Sequence, residues 1–507
     1  MALPSPSSLL LFALLASATA RLPLKHLHRH NLSFHELVPT RYVQHFPQTT
    51  EPSNAPPLAT VLNDVYARVY GRALIPPRPR YSPERIDFLP YLKTPSGVLP
   101  ISDFGGDPTG KNDSSAAFER AIDAALPLWN GRHLAEGIKD LGGATLTLDG
   151  GIYLISRPLY IPGGYGNMHW RDGSIVASES FPADGFIITV GASPAPHFDT
   201  ETATQARRLQ IGDRNQFMSF SDLYVDGRDT ASGVLRFTHT IGAVVGPANL
   251  FIGFHDAGVL IEGGHEFFFG DPRKPSQQTA AAIRLLGNDH VLRDVVIFSA
   301  KIGVEDRAGA NTHTGVHSWN GSGTAMLVTG YSTRILDSYP DFNSIIVQNP
   351  NAVTITGGFF LGGAQIILRA HGSEPTCKGL LVRDNQFSYT DRDTVRVEGN
   401  FTKVVDTFVG ASTIGRSAKL KTTRAVRQLH KENATEWLFD FSDVLVSPSI
   451  ARVMYSMEIE GDGVFVRHAS RPADGNRVRV ETDVAVTATV IMEVDQSELL
   501  QGGVMNV

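Results

Sequence analysis

The sequence predicts an all-β chain built as a β-solenoid, on three observations. A loose unit of roughly twenty to thirty residues repeats from Val98 to about Tyr389. Each copy has a short alternating run, a small-residue turn and another short apolar run, as in Ala248–Gly264, His290–Arg307 and Ala352–Ala370. The chain is rich in turn formers, with 48 glycines and 30 prolines among 507 residues, which suits short strands better than long helices. Hairpin signals between balanced strands are sparse, which argues against a sandwich or propeller. Asp149-Gly150, Asp172-Gly173 and Asp226-Gly227 fit solenoid corners equally well.

Taken in order, the chain opens with an apolar run, Leu9–Leu15, and small residues Ala18-Thr19-Ala20 before Arg21. This is the pattern of a cleaved secretory signal over residues 1–20, too short to span a bilayer. Residues 21–95 are rich in Pro, His and Arg and read as an N-terminal extension, with one helix expected over Leu58–Leu74. A short strand at Val98 then leads to a turn and an amphipathic helix. Asp113 or Ser114 is placed to cap it, and Phe118, Ile122 and Leu126 share one stripe. The solenoid is expected over residues 96–415, with Phe254, Phe298 and Phe360 at corresponding places in successive coils. From residue 416 to 507 the pattern changes. Trp437–Val446, Ala451–Ser470, Asn476–Val484 and Ala485–Gln496 alternate cleanly and predict a small antiparallel β-module joined by tight turns.

Composition narrows the function. The net charge of −6 and the absence of a basic stripe argue against nucleic-acid binding. Cys377 is the only cysteine, so no intramolecular disulfide can form, and a buried structural role is expected for it. Behind a secretory signal, the sequons at Asn31, Asn112, Asn320, Asn400 and Asn433 become glycosylation sites. A monomer without membrane anchor is expected.

The middle coils hold the densest set of acid, imidazole and amide groups. Among them are Asp226, His255, Asp256, His265, Glu266, Asp289, His290, Asp294, His317, Asp337 and Asp341. In a solenoid, carboxylates one or two coils apart lie ~5–10 Å from each other, because strands stack at ~4.8 Å. An inverting glycosidase needs ~6.5–9.5 Å between acid and base. No clear run of Asp-x-Asp with calcium-loop spacing appears, so the metal reading is the weaker one and no cofactor is expected. No Gly-x-Ser-x-Gly elbow supports a serine nucleophile.

The stretch Val98–Pro162 resembles the entry into a right-handed parallel β-helix of the pectin-lyase type, where one helix covers the open end of the coil stack. Ala281–Val304, Asn311–Asn320 and Glu436–Gln496 are similar to the Quartet-type plant polygalacturonases, a divergent branch near glycoside hydrolase family 28. The resemblance spans about Val98 to Gln496. It implies a secreted β-helix enzyme that hydrolyses the α-1,4 links of galacturonan in pectin with two carboxylates and no cofactor. The family's Asn-Thr-Asp, Asp-Asp, Gly-His-Gly and Arg-Ile-Lys motifs do not stand intact. Their nearest counterparts are Asp226-Gly227, His255-Asp256, Gly264-His265-Glu266 and Arg334-Ile335-Leu336. On this basis Asp256 is the expected general acid, its pKa raised by neighbouring acids, with Asp226 and Asp289 as candidate bases and His265 tuning the acid. Arg293 and Arg334 are expected to pair with galacturonate carboxylates, and Glu266, Asp294, His317 and Trp319 to line the groove. A pectin lyase on the same fold and a non-catalytic wall-polysaccharide binder remain open alternatives.

Overall fold

The structure is a computed structural model. It describes residues 97–500 apart from 130, 192–213, 271–276, 320–322, 416–417, 462–464 and 474. The expected signal, the N-terminal extension with its helix, and the sequons Asn31 and Asn320 lie outside the described residues.

Three parallel ladders wind into a solenoid, met in the order sheet 1, sheet 2, sheet 3 along each coil. Sheet 1 stacks Val291–Arg293 on Thr312–Thr314, Arg334–Leu336, Thr354–Thr356 and Leu381–Arg383. Sheet 2 stacks Val296–Phe298 on His317–Trp319 and Tyr339–Asp341, continuing to Phe359–Leu361 and Gln386–Ser388. Sheet 3 runs from Leu159–Pro162 through Phe186–Gly191 to Val395–Glu398. The corner between sheets 1 and 2 holds one left-handed residue per coil, in the series Asp294, Gly315, Asp337, Gly357 and Asp384. The alternation has a steric cause. A Cβ on Gly315 would lie 2.5 Å from Asp294 Oδ1, and one on Gly357 would lie 2.1 Å from Asp337 Oδ1. The carboxylates of Asp294 and Asp337 thus occupy the space above the next coil's glycine.

The coil stack is closed at its N-terminal end by helix α1, Ser115–Ala125. The carboxylate of Asp113 caps it, accepting the Ser115 N–H at 3.0 Å while also accepting the Ser156 N–H at 3.1 Å. Burial opposes ionisation of Asp113, but these hydrogen bonds outweigh it and lower its pKa. Phe118 points from α1 into the lumen and stacks on Trp170 at 5.9 Å. An aromatic column continues through Phe220, Phe237 and Phe267 to His290. Beyond His290 the lumen turns polar. His313 of sheet 1 meets Asp306 of sheet 3 at 2.9 Å, and Asn311 Nδ2 and Thr333 Oγ1 also donate to Asp306. All four of these residues are fully buried. Farther along, aliphatic Ile335, Ile355, Val382 and Val409 fill the lumen.

The aromatics Phe254, Phe298 and Phe360 do not occupy corresponding places. Phe298 is the last residue of its strand and faces outward, Phe360 is central and faces the lumen, and Phe254 lies buried after its sheet 2 strand. A three-residue strand reverses the fate of a side chain with a shift of one position, which aromatic spacing alone does not reveal.

The C-terminal module is antiparallel. Arg477–Asp495 is its centre, flanked by Arg424–Asp440 on one side and by His468–Ala473 and Arg452–Ile459 on the other. Three residues separate Ala473 from Arg477, whereas eleven, Phe441–Ala451, join the first two strands, so that connection is not a tight turn. Phe441 and Leu445 of that longer link pack with Trp437, Val480 and Val490 in a separate core. Backbone pairing of Leu499–Leu500 with Lys403–Val405 ties the module back to the last coils. Between them lies a cavity of about 220 Å³ lined by Leu368, Cys377, Phe401 and Pro448. Cys377 is buried, and desolvation pushes its thiol pKa up to about 11, which makes it a packing residue rather than a nucleophile.

Candidate functional site

Sheet 3 carries an ionic chain on its outer face. Leu235, Val259, Ile283, Val304 and Met326 point inward in register, so Arg236, Leu260, Arg284, Glu305 and Leu327 point outward in register. Arg284 donates from Nε to Glu305 Oε2 at 2.6 Å and from Nη1 to Asp256 Oδ1 at 2.9 Å. Arg307 closes on the other oxygen of Glu305, with its Nε at 2.8 Å. A second pair, Arg236 Nε to Glu262 Oε2 at 2.7 Å, lies on the same face. Phe186, Ala257 and Leu260 form a small apolar cluster on the sheet beside the chain.

The members differ in access. The Glu305 side chain is 4% exposed, whereas Asp256 is 44% and Arg307 53% exposed. Burial alone would raise the pKa of Glu305, but hydrogen bonds from Arg284 and Arg307 outweigh it and lower it, so Glu305 is an anion. One guanidinium separates Asp256 from Glu305. The two carboxylates are thus held on either side of one cation, the pair of acids that glycoside hydrolysis calls for.

The residues expected from the sequence are spread over several faces. Asp256 lies within the extended stretch Leu250–His265, at a register irregularity between Phe254 and Ala257, and is accessible, but its partner is the Arg284 cation rather than a neighbouring acid. Asp226 ends its sheet 2 strand in the preceding coil and accepts the Arg228 N–H at 2.8 Å in a local turn. Asp289 lies at the opposite edge of sheet 3, after the strand ending at Leu285, with its carboxylate 3.6 Å from His265 Nδ1. His265 and Glu266 are exposed at that same edge. Arg293, exposed and 3.7 Å from Asp294, and exposed Arg334 belong to sheet 1, while Asp294 is a corner residue. His317 and Trp319 stand on sheet 2. Asn112, Asn400 and Asn433 are exposed, as glycan acceptors must be, although Asn112 Nδ2 also donates to Asp107.

Arg284, Glu305, Arg307, Arg236 and Glu262 were not singled out by motif. Their signal is a shared phase: a charged residue follows an apolar one at the same strand position in Val234–Thr238, Ala282–Leu286 and Gly303–Arg307. Among the described residues no group of three or more His, Cys, Asp and Glu side chains is placed to hold a metal ion, and no helix is long and apolar enough to cross a membrane.

No protein-family model matches the chain. It is 33% identical over 424 residues to "Polygalacturonase QRT3" of Arabidopsis thaliana, an alignment that covers 79% of this chain and 84% of that protein. Among solved structures, the mannuronan C-5 epimerase AlgE6 A-module of Azotobacter vinelandii matches with a TM-score of 0.42 at 15% identity, over 63% of this chain and 98% of that one. The tailspike protein gp49 of Pseudomonas phage LKA1 matches with a TM-score of 0.40 at 10% identity, over 79% and 100%. The parallel β-helix rests on this chain's own ladders, and the identity over most of both sequences decides the family: the chain belongs to the Quartet-type polygalacturonases.

Proposed function

We propose that the chain is a secreted glycoside hydrolase that cleaves α-1,4-galacturonan in pectin, on the outer face of sheet 3. The observation that carries this reading is the chain Asp256–Arg284–Glu305–Arg307, an accessible carboxylate and a buried one on either side of an arginine. Galacturonan is polyanionic. Its carboxylates compete for Arg284 and Arg307, because a planar guanidinium binds a carboxylate in bidentate fashion. Substrate binding then releases Asp256 from its ion pair. Freed of the cation, the Asp256 carboxylate takes a proton from solvent and passes it to the leaving glycosidic oxygen, while Glu305, the second carboxylate, takes the proton of the water that attacks the anomeric carbon. Pectic polysaccharide is the partner, and no cofactor is invoked.

Reducing-end release from polygalacturonic acid is the direct assay. Asp256→Asn keeps the shape and removes the proton donor, so turnover drops by ~10²–10⁴ with the fold intact. Near-parent turnover in this variant would move the acid role away from Asp256, to the His265–Asp289 edge. The absence of intact family-28 motifs favours a second reading, a pectin-binding protein without turnover. That reading predicts affinity for pectin and no new reducing ends at any pH.

A further inference from the structure

We propose that the outer face of sheet 2 is a second carbohydrate-binding surface, for a neutral pyranose chain. Four consecutive strands, Val296–Phe298, His317–Trp319, Tyr339–Asp341 and Phe359–Leu361, place rings in continuous contact. Phe298 meets Trp319 at 5.6 Å, His317 stacks on Tyr339 at 4.4 Å with the planes 6° apart, and Tyr339 meets Phe359 at 5.0 Å. The row covers about 14 Å along the axis at ~4.8 Å per strand. Trp319 is 48% exposed, and Phe342 at the adjoining corner is 54% exposed. Trp319, with the partly exposed Phe298, Tyr339 and Phe359 beside it, is the apolar half of a sugar site, because a pyranose presents a C–H face.

The polar half is present as well. Asp341 Oδ1 and His317 Nε2 are buried and have no hydrogen-bond partner, and His317 Nε2 stands 3.8 Å from Asp341 Oδ2, too far to bond. These two atoms are enclosed in the face, but the His317 side chain as a whole is 32% exposed and borders the ring row where a sugar hydroxyl would lie. The charge pattern selects the sugar. The four strands contain no Lys or Arg, and Asp341 adds a negative charge. Galacturonate is therefore disfavoured here and favoured on sheet 3, where the arginines stand. The two faces then hold different parts of one wall polysaccharide network, or hold the protein on a neutral polymer while it works on a charged one.

Trp319 is followed by the sequon Asn320-Gly321-Ser322, so the rings have one rival occupant, the chain's own glycan. The test is calorimetric binding of cellohexaose and of hexagalacturonate to the full chain, in parent, Asn320→Gln, Trp319→Ala and Trp319→Phe forms. It reads binding without turnover, so it stands whether or not the hydrolase reading does. Expected are binding of cellohexaose by the parent, a loss of about tenfold or more in Trp319→Ala, the equivalent of one stacked ring, and retention in Trp319→Phe. Three results would overturn the proposal: no cellohexaose binding in the parent, equal binding in Trp319→Ala, or binding that emerges only in Asn320→Gln.

Discussion

Acid should loosen the solenoid through His290, and the size of the effect follows from where its ring lies. His290 is fully buried at the end of the aromatic column, 5.1 Å from Phe267, and its Nε2 has no partner. Desolvation is the main cause that lowers its pKa from 6.5 to about 4; His265 and His313 add to it, and Asp306 and Asp289 oppose it. In the unfolded chain His290 takes up a proton near pH 6.5, and in the fold only near pH 4. Between those values the unfolded chain holds more protons, so stability falls as pH falls. At about 1.4 kcal/mol per pH unit, the full loss is about 3 kcal/mol. With about 2.1 cal/mol/K of unfolding entropy per residue over roughly 400 residues, that is a fall in Tm of about 4 °C. The assay is thermal melting followed by far-ultraviolet circular dichroism at steps from pH 7 to pH 4, on the parent and on His290→Leu. Leu cannot titrate, so its slope over this window should flatten. The carboxylates with lowered pKa values, Asp107, Asp113, Glu305, Asp306, Asp440 and Asp495, lose their contribution as pH falls through their unfolded values of 3.8 for Asp and 4.5 for Glu, at the acid end of the window, and they are present in both proteins, so the difference in slope belongs to His290. Equal slopes in the two proteins would remove His290 as the cause.

Two further outcomes follow from packing. Asp306→Ala leaves His313 and Thr333 as buried donors without this acceptor and Asn311 Nδ2 with only its 3.3 Å bond to Gly287 O, and should cost about 3–5 kcal/mol, the range for breaking a buried pair from one side; a melt within 1 °C of the parent would show that the lumen repacks at no loss. Phe118→Ala empties the contact between α1 and Trp170 and should cost about 3–5 kcal/mol. Limited proteolysis should then cut first in the N-terminal coils, whereas an unchanged cleavage pattern would mean that α1 is not needed to seal the stack.

The repeat, the capping helix and the antiparallel strands toward the C-terminus were legible because each is local. Alternation, helical spacing and turn residues act over a few positions, and Phe118 and Ile122 on α1 are buried as their stripe requires. The family was legible too, since identity over 424 residues preserves sequence runs even where the short catalytic motifs have changed. Of the proposed ionic chain only Asp256 was legible, as an acid just ahead of an apolar run. Arg284 and Glu305 were not, because a lone charge in an apolar run looks like a solvated residue.

What the sequence by itself determined is which residues alternate, where the chain turns and how the coils succeed one another. Only the tertiary structure decided which charges meet. Asp256 and Arg284 are 28 positions apart, and Arg284 and Glu305 are 21 apart, yet register places them side by side. In a parallel ladder a neighbour across strands is set by coil length, and the coils here differ in length: Thr312 pairs with Arg334, but Thr354 with Leu381. A shift of one residue in any coil would turn a side chain from solvent to lumen. Asp306 faces the lumen and Glu305, its neighbour in sequence, faces the arginines, and this division exists only once the coils are stacked.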